Sequence, residues 1–177
     1  MATYHTETSN RISDSLWRLM ERFMFEDISI TMICQRARVG RRSFYRHFKT
    51  KRDVLTNTLK QQLDELSTHL AESGSMEEMM GRSFKFFYKE RKYLRLLQKN
   101  GLLFEELYSI IQAGRLFDEE LDVFMERSGL PPYLREYAAN VIASVHTSLL
   151  VTWTASDFRE DWQQLVNFEI SMFSAMQ

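Results

Sequence analysis

The sequence predicts an all-α protein with a small three-helix amino-terminal domain and a larger helical carboxy-terminal domain. Three observations lead there. Only 2 Pro and 6 Gly in 177 residues leave little material for the turns of a sheet. No stretch alternates apolar and polar residues over six positions, whereas apolar residues recur at spacings of three and four along most of the chain. A hydrophobic content of 44% with 27% charged residues is that of a globular chain able to bury a sizeable core.

The elements follow in order. Ile12, Leu16, Leu19, Met20 and Phe23 share a helical face and predict a first helix over residues 10–24. Two short helical patterns then flank Ala37-Arg38-Val39-Gly40. The first starts at Ser29, a good N-cap, and turns Ile30, Ile33 and Ala37 inward. In the second, residues 41–48, Phe44 and Phe48 are four apart and can anchor one face. Its other positions, Arg41, Arg42, Ser43, Tyr45, Arg46 and His47, hold donors of the kind that meet phosphates and base edges. A short helix anchored by aromatics and otherwise basic fits the second helix of a helix-turn-helix spanning about residues 29–48. Thr50 caps a fourth helix over 51–70, with Leu55, Leu59, Leu63, Leu66 and Leu70 in one stripe, ended by Ser73-Gly74-Ser75.

Helices are predicted next over 76–88 and 92–99, the latter stopped by Asn100-Gly101, and then over 102–111 and 117–127, closed by Ser128-Gly129. Phe84-Lys85-Phe86-Phe87-Tyr88 is aromatic nearly all round, which predicts burial between helices. Pro131-Pro132 opens the most apolar segment, 132–155, with Leu134, Ala138, Val141, Ile142, Val145, Leu149 and Trp153 in a wide stripe. Residues 157–161 read as a polar connection to a last helix, 162–176, carrying Leu165, Val166, Phe168, Ile170, Met172 and Phe173.

Charge divides the chain unevenly. Residues 1–60 hold 12 Lys+Arg against 6 Asp+Glu, a net of +6, and residues 61–177 hold 11 against 18, a net of −7. A basic end on an otherwise acidic protein points to nucleic-acid contact there. Catalysis has no matching motif. His5, His47, His69 and His146 are scattered without metal-ligand spacing, and no glycine-rich phosphate loop exists, so neither metal nor cofactor is expected. Glu77-Glu78 and Asp118-Glu119-Glu120 read as helix starts favoured by the dipole. The single Cys34 sits where a small packed residue is expected and fits a reducing compartment. The first ten residues lack a signal pattern and no apolar run has membrane-spanning length, so the expectation is a cytoplasmic protein with no membrane partner.

The run Phe44-Tyr45-Arg46-His47-Phe48-Lys49-Thr50-Lys51-Arg52-Asp53-Val54-Leu55 resembles the signature of the tetracycline-repressor (TetR) family of bacterial transcription regulators, and the likeness covers roughly residues 11–59. Arg38 stands where that family usually has Gly, Gly40 where it has a Ser or Thr cap, and Arg42 where it has a small residue. The resemblance implies a helix-turn-helix domain over 1–50 and a helical ligand-binding and dimerisation domain over 51–177, joined through the helix 51–70. It implies a homodimeric repressor on a palindromic operator, released by a small-molecule inducer. The DNA-facing set becomes Thr31, Gly40, Arg41, Arg42, Ser43, Tyr45, Arg46, His47 and Lys51, with Tyr45, His47 and Lys51 on phosphates. Candidate pocket residues are Phe84, Phe87, Leu97, Phe104, His146 and Trp153; candidate dimer residues are Val141, Val145, Leu149, Leu165, Phe168 and Met172. Two alternatives stay open: a helical interaction or ligand-binding protein of this fold without operator control, and a DNA-binding factor governed by a protein partner.

Overall fold

The computed structural model describes residues 2–70, 75–114 and 118–175. Among them are ten α-helices: α1 Ala2–Met20, α2 Ile30–Ala37, α3 Arg41–His47, α4 Lys51–Leu70, α5 Met76–Lys89, α6 Arg91–Lys99, α7 Leu103–Gly114, α8 Asp118–Ser128, α9 Arg135–Ala155 and α10 Trp162–Ala175. Single 3-10 turns occupy Phe25–Asp27 and Pro132–Leu134, and no strand is present among the described residues. The chain forms two compact units, residues 1–62 and 63–177, so the division falls inside α4. The expected stop at Ser73-Gly74 and the expected helix start at Phe117 lie outside the described residues, as does the side chain of Phe173.

In the first unit α1 packs against α2 and α3. Ile12, Leu16, Leu19 and Met20 are buried as their spacing predicts, with Ile33, Cys34, Ala37, Phe44 and Phe48 facing them. Phe23 departs from the expected stripe. The helix ends at Met20, so Phe23 leaves the inward face and is exposed, and Phe25 fills the core instead. Burial pushes the Cys34 thiol above its ordinary value, while Arg41 draws it down by a smaller amount. An inert packing role follows from that burial.

Lys51 secures the loop that enters α2. Its Nζ donates to the carbonyls of Phe25, Glu26 and Ile28 at 2.6, 2.9 and 3.0 Å and lies 4.6 Å from the centre of the Phe25 ring. An ammonium has three N–H donors, so all three are engaged. The first turn of α4 is closed by a reciprocal pair of bonds: Thr50 Oγ1 accepts from the Asp53 amide at 3.1 Å, and Asp53 Oδ2 accepts from the Lys49 and Thr50 amides, both at 2.9 Å. Burial, the largest single influence, raises the Asp53 carboxyl, but the bonds from Thr50 and Lys49 together outweigh it and hold the group below its ordinary value.

In the second unit α9 packs against α6, α7, α8 and α10, and α10 packs against α5. Ile142, Ala143, Leu150 and Trp153 form the buried side of α9. A polar bridge crosses this core. His146 Nε2 lies 2.9 Å from Ser83 Oγ on α5, and Nδ1 lies 3.1 and 3.0 Å from the two carboxyl oxygens of Glu169 on α10. All three residues are fully buried. Donation from Nδ1–H to Glu169, with Nε2 accepting from the Ser83 hydroxyl, satisfies every group and ties three helices together. The connection 157–161 is less polar than its sequence predicts. Asp157 and Phe158 both adopt left-handed backbone (φ 59° and 58°), which turns Phe158 inward against Trp153 at 5.0 Å between ring centres. Arg95 pairs with Asp157 at 2.7 Å, and Trp153 Nε1 donates to the Glu160 carbonyl at 2.8 Å.

Two stability outcomes follow. Lys51→Met leaves three carbonyls without their donor and should lower stability by about 2 kcal/mol, within the ~1–3 kcal/mol range for such losses. That corresponds to a fall in melting temperature of roughly 4–8 °C, read by circular dichroism. Glu169→Leu orphans His146 Nδ1 in a closed core and should lower stability by ~1–3 kcal/mol in a urea titration. Wild-type stability in either variant would show that the corresponding bonds are not formed in solution.

Candidate nucleic-acid interface

The geometry of the site begins at Ser29. Its Oγ accepts from the Met32 amide at 3.2 Å, while the Met32 sulfur accepts from the Ser29 amide at 3.5 Å, in the place usually held by a Glu or Gln. Helix α2 ends at Arg38, which takes left-handed backbone (φ 53°, ψ 46°) and closes the helix through its amide to the Cys34 and Gln35 carbonyls. Arg11 Nη2 donates to the carbonyls of Ala37 and Arg38 from the side of α1. The turn is therefore held from two directions before α3 begins.

Gly40 is the N-cap of α3 and supplies no side chain to its first amides; an added Cβ there would meet nothing within 4 Å. The helix has one buried side. Phe44 is fully buried and Phe48 nearly so, their rings 6.0 Å apart, and the Phe48 amide donates to the Phe44 carbonyl. Opposite them, Arg41, Arg42, Tyr45 and Arg46 are exposed, and Ser43 and His47 are half-buried. Arg41 stands over the Tyr45 ring at 5.9 Å, and the phenol raises its already high pKa. Arg46 Nη2 donates to Ser43 Oγ at 3.2 Å. These contacts fix a basic, donor-rich surface at the scale of one helix face. Thr31, in the first turn of α2, is also exposed. Lys51 differs from the other expected DNA contacts in that its donors meet the carbonyls of residues 25, 26 and 28. Sequence spacing gives no sign of this, because the three acceptors lie more than twenty residues away.

The candidate pocket residues divide. Phe84, Phe87, His146 and Trp153 form one cluster, with ring centres 5.0 Å apart for Phe84–His146, 5.7 Å for Phe84–Trp153 and 6.4 Å for Phe87–His146. Leu97 is fully buried on α6. Phe104 does not join them: it is 46% exposed on α7 and stacks on Tyr108, because its helical position points away from the buried side marked by Leu103 and Leu107. Ser83, His146 and Glu169 have the partner order of an activated nucleophile, yet Ser83 lies in mid-helix without exposed surface, so no substrate atom reaches its Oγ. Its role is packing. Sequence reading overlooked both Ser83 and Glu169; their only signal is polarity within otherwise apolar helical faces.

Helix α9 also has a second face. Tyr137 is 68% exposed and Val141 48%, while Val145 and Leu149 are half-buried and continue the row at intervals of four. On α10, Phe168 is 53% exposed, Met172 is exposed and Leu165 is half-buried. The six candidate dimer residues thus lie outside the buried core that Ile142, Trp153 and Val166 mark. Among the described residues, no helix is long and apolar enough to cross a membrane.

Residues 12–57 match the family described as "Bacterial regulatory proteins, tetR family". No curated protein matches the sequence. Among solved structures, the chain is similar to a tetR-family transcriptional regulator from Streptomyces coelicolor, with TM-score 0.62 and 21% identity over 96% of this chain and 80% of that one. It is similar to the fatty acid degradation regulator FadR from Bacillus halodurans, with TM-score 0.65 and 19% identity over 94% of each chain. The dihydroxyacetone kinase operon activator DhaS gives TM-score 0.58 and 14% identity over 96% of this chain and 95% of that one. Identities this low establish the fold. Sequence and fold meet in the amino-terminal domain: residues 12–57 match the tetR family of bacterial regulatory proteins, and the chain has a TetR-like fold with an amino-terminal helix-turn-helix.

Proposed function

We propose that the protein is a cytoplasmic, sequence-specific DNA-binding transcription repressor that acts as a homodimer on a palindromic operator. The observation that carries this reading is the surface of α3, where Arg41, Arg42, Tyr45 and Arg46 stand exposed on a helix fixed from behind by Phe44 and Phe48. Such a helix presents bidentate donors to the major groove, where guanine O6 and N7 are the commonest partners of arginine. Thr31, the amides opened by Gly40, Ser43, Tyr45 and His47 supply neutral or polar contacts to the flanking phosphates. The outward rows of α9 and α10, centred on Val141, Val145 and Phe168, supply the second half: a four-helix dimer bundle that pairs two reading heads.

Control of DNA binding admits two effectors. A small-molecule inducer releases DNA if it favours a dimer geometry that does not match the operator. The closed packing of Phe84, Phe87, His146 and Trp153 favours a protein partner as the second reading, since a ligand there must first separate rings that already touch.

Selection from random duplexes by the purified protein should return a palindrome. Against that operator and its single-base variants, Arg41→Ala or Arg42→Ala should lose about 1–3 kcal/mol of discrimination at one base-pair position. Equal losses on every variant would reduce both arginines to phosphate contacts. For assembly, the protein should sediment near twice its 21.1 kDa without DNA. Val145→Asp places a charge in the outward row and should yield monomers or aggregates with operator binding lost, because one half-site adds too little affinity. A Val145→Asp dimer that binds normally would move the interface elsewhere.

A further inference from the structure

Four arginines converge on a feature that the reading helix does not use. A groove of about 590 Å³ runs between α1 and the end of α2, lined by Arg11, Asp14, Ser15, Arg18, Arg36, Ala37 and Arg38. Four guanidiniums against one carboxylate give the lining a net charge of +3. Arg11 is partly engaged, since Nη2 bonds the carbonyls at the end of α2. Among the described residues, Arg18, Arg36 and Arg38 have no side-chain hydrogen bond or ion pair, and all three are exposed. Like charges collected in one concavity repel each other and raise the local potential, so the groove is poised for an anion.

A second observation is independent of the charge. Arg38 holds left-handed backbone, φ 53° and ψ 46°, a conformation that glycine adopts without steric penalty and a Cβ-bearing residue does not. Its amide makes the helix-closing bonds that glycine would make equally well. Backbone strain kept at one position points to a use for the side chain there. In this case the side chain is a guanidinium on the groove rim.

The occupant follows from position in the chain. Arg38 precedes Arg41, the first residue of α3, by three residues, which span at most about 11 Å when extended. A duplex carries one negative charge per roughly 1.7 Å of axis, so DNA touching the tip of α3 presents phosphates within that distance. We propose that the Arg11–Arg18–Arg36–Arg38 groove clamps the phosphate backbone flanking the operator half-site, and so extends the footprint beyond the bases that α3 reads. Arg11 is the positioning residue, holding the turn while the other three neutralise phosphates. This assignment rests on the reading of α3 as a DNA-recognition helix.

The test uses the full chain and the operator selected by the wild-type protein, on two duplexes. One is trimmed to the palindrome; the other adds about one helical turn (~10 bp) on each side. The variant Arg18→Gln/Arg36→Gln/Arg38→Gln should reduce the magnitude of the slope of log K against log salt by about 5.4 on the long duplex, since the dimer loses three phosphate contacts per protomer and each contributes ~0.9. The loss of slope should be smaller on the trimmed duplex, and the discrimination among single-base variants should stay as in wild type. Arg38→Gly provides a control for folding: it should melt at higher temperature than wild type and yet bind the long duplex more weakly. Unchanged slopes on the long duplex for the triple variant, or an Arg38→Gly variant that binds it as wild type does, overturn the proposal. So does calorimetric binding of inorganic phosphate that the triple variant abolishes while both slopes stay unchanged, which makes the groove a free-anion site. If the wild-type protein selects no operator, both readings fail together. If the groove alone fails, the operator and its base discrimination remain.

Discussion

Helix α3 has seven residues, and an isolated helix shorter than about 12–15 residues is marginal in water. Its conformation is therefore imposed from outside, and the burial of Phe44 is the interaction on which the candidate interface depends. A fully buried aromatic of this size contributes roughly 1.5–3 kcal/mol, several times any propensity term within so short a helix. Phe48 extends the anchor past the end of the helix, where its amide still bonds the Phe44 carbonyl. Ser29 caps α2, Arg11 and the left-handed Arg38 close it, and Lys51 fixes the loop before it. Each contact restrains a neighbour of α3 and leaves its outer face uncommitted. That separation lets Arg41, Arg42, Tyr45 and Arg46 project without being needed for stability.

A comparable division of labour governs α9, though on a longer helix. Its inward side carries Ile142, His146, Leu150 and Trp153, and the His146 ring joins α5 to α10 through Ser83 and Glu169. The buried polar bridge narrows the ways these helices can pack, because a rotation of α9 that kept apolar contact would still strand an imidazole or a carboxyl in the core. The outward row of Val141, Val145 and Leu149 is thereby held in one orientation. Apolar residues on two sides of one helix also explain why its amphipathic signal is weak even though its burial is sharply one-sided.

The periodic parts of the chain were the legible ones. The stripe Leu55, Leu59, Leu63, Leu66 and Leu70 predicted the full extent of α4, and Phe44 with Phe48 identified the buried side of α3, because both signals repeat locally. Contacts between distant segments were not legible. Nothing near Lys51 in sequence shows that its ammonium meets carbonyls 25, 26 and 28. Spacing places Phe23 on the inward face, but the helix stops three residues before it. Phe158 was read as part of a polar connection, and only a left-handed turn at Asp157 and Phe158 carries its ring into the core. The single wide stripe read along α9 could not say which apolar residues face inward, since periodicity records amphipathicity and α9 is apolar on two sides.

Charge acts at longer range than any of these contacts. Residues 1–60 carry +6 and residues 61–177 carry −7, so a nearly neutral chain divides its charge unevenly along the sequence. On the proposed function, such an asymmetry favours approach of the basic residues to a polyanion and disfavours binding through the acidic remainder. Its reach is limited to about 8 Å at physiological ionic strength, and it cannot distinguish one sequence from another. Discrimination has to come from a surface fixed to hydrogen-bonding precision once contact is made. If α3 is the recognition helix proposed above, the buried Phe44 and the restrained turn at Arg38 confer that rigidity, so steering by charge and reading by shape rest on different features of the chain.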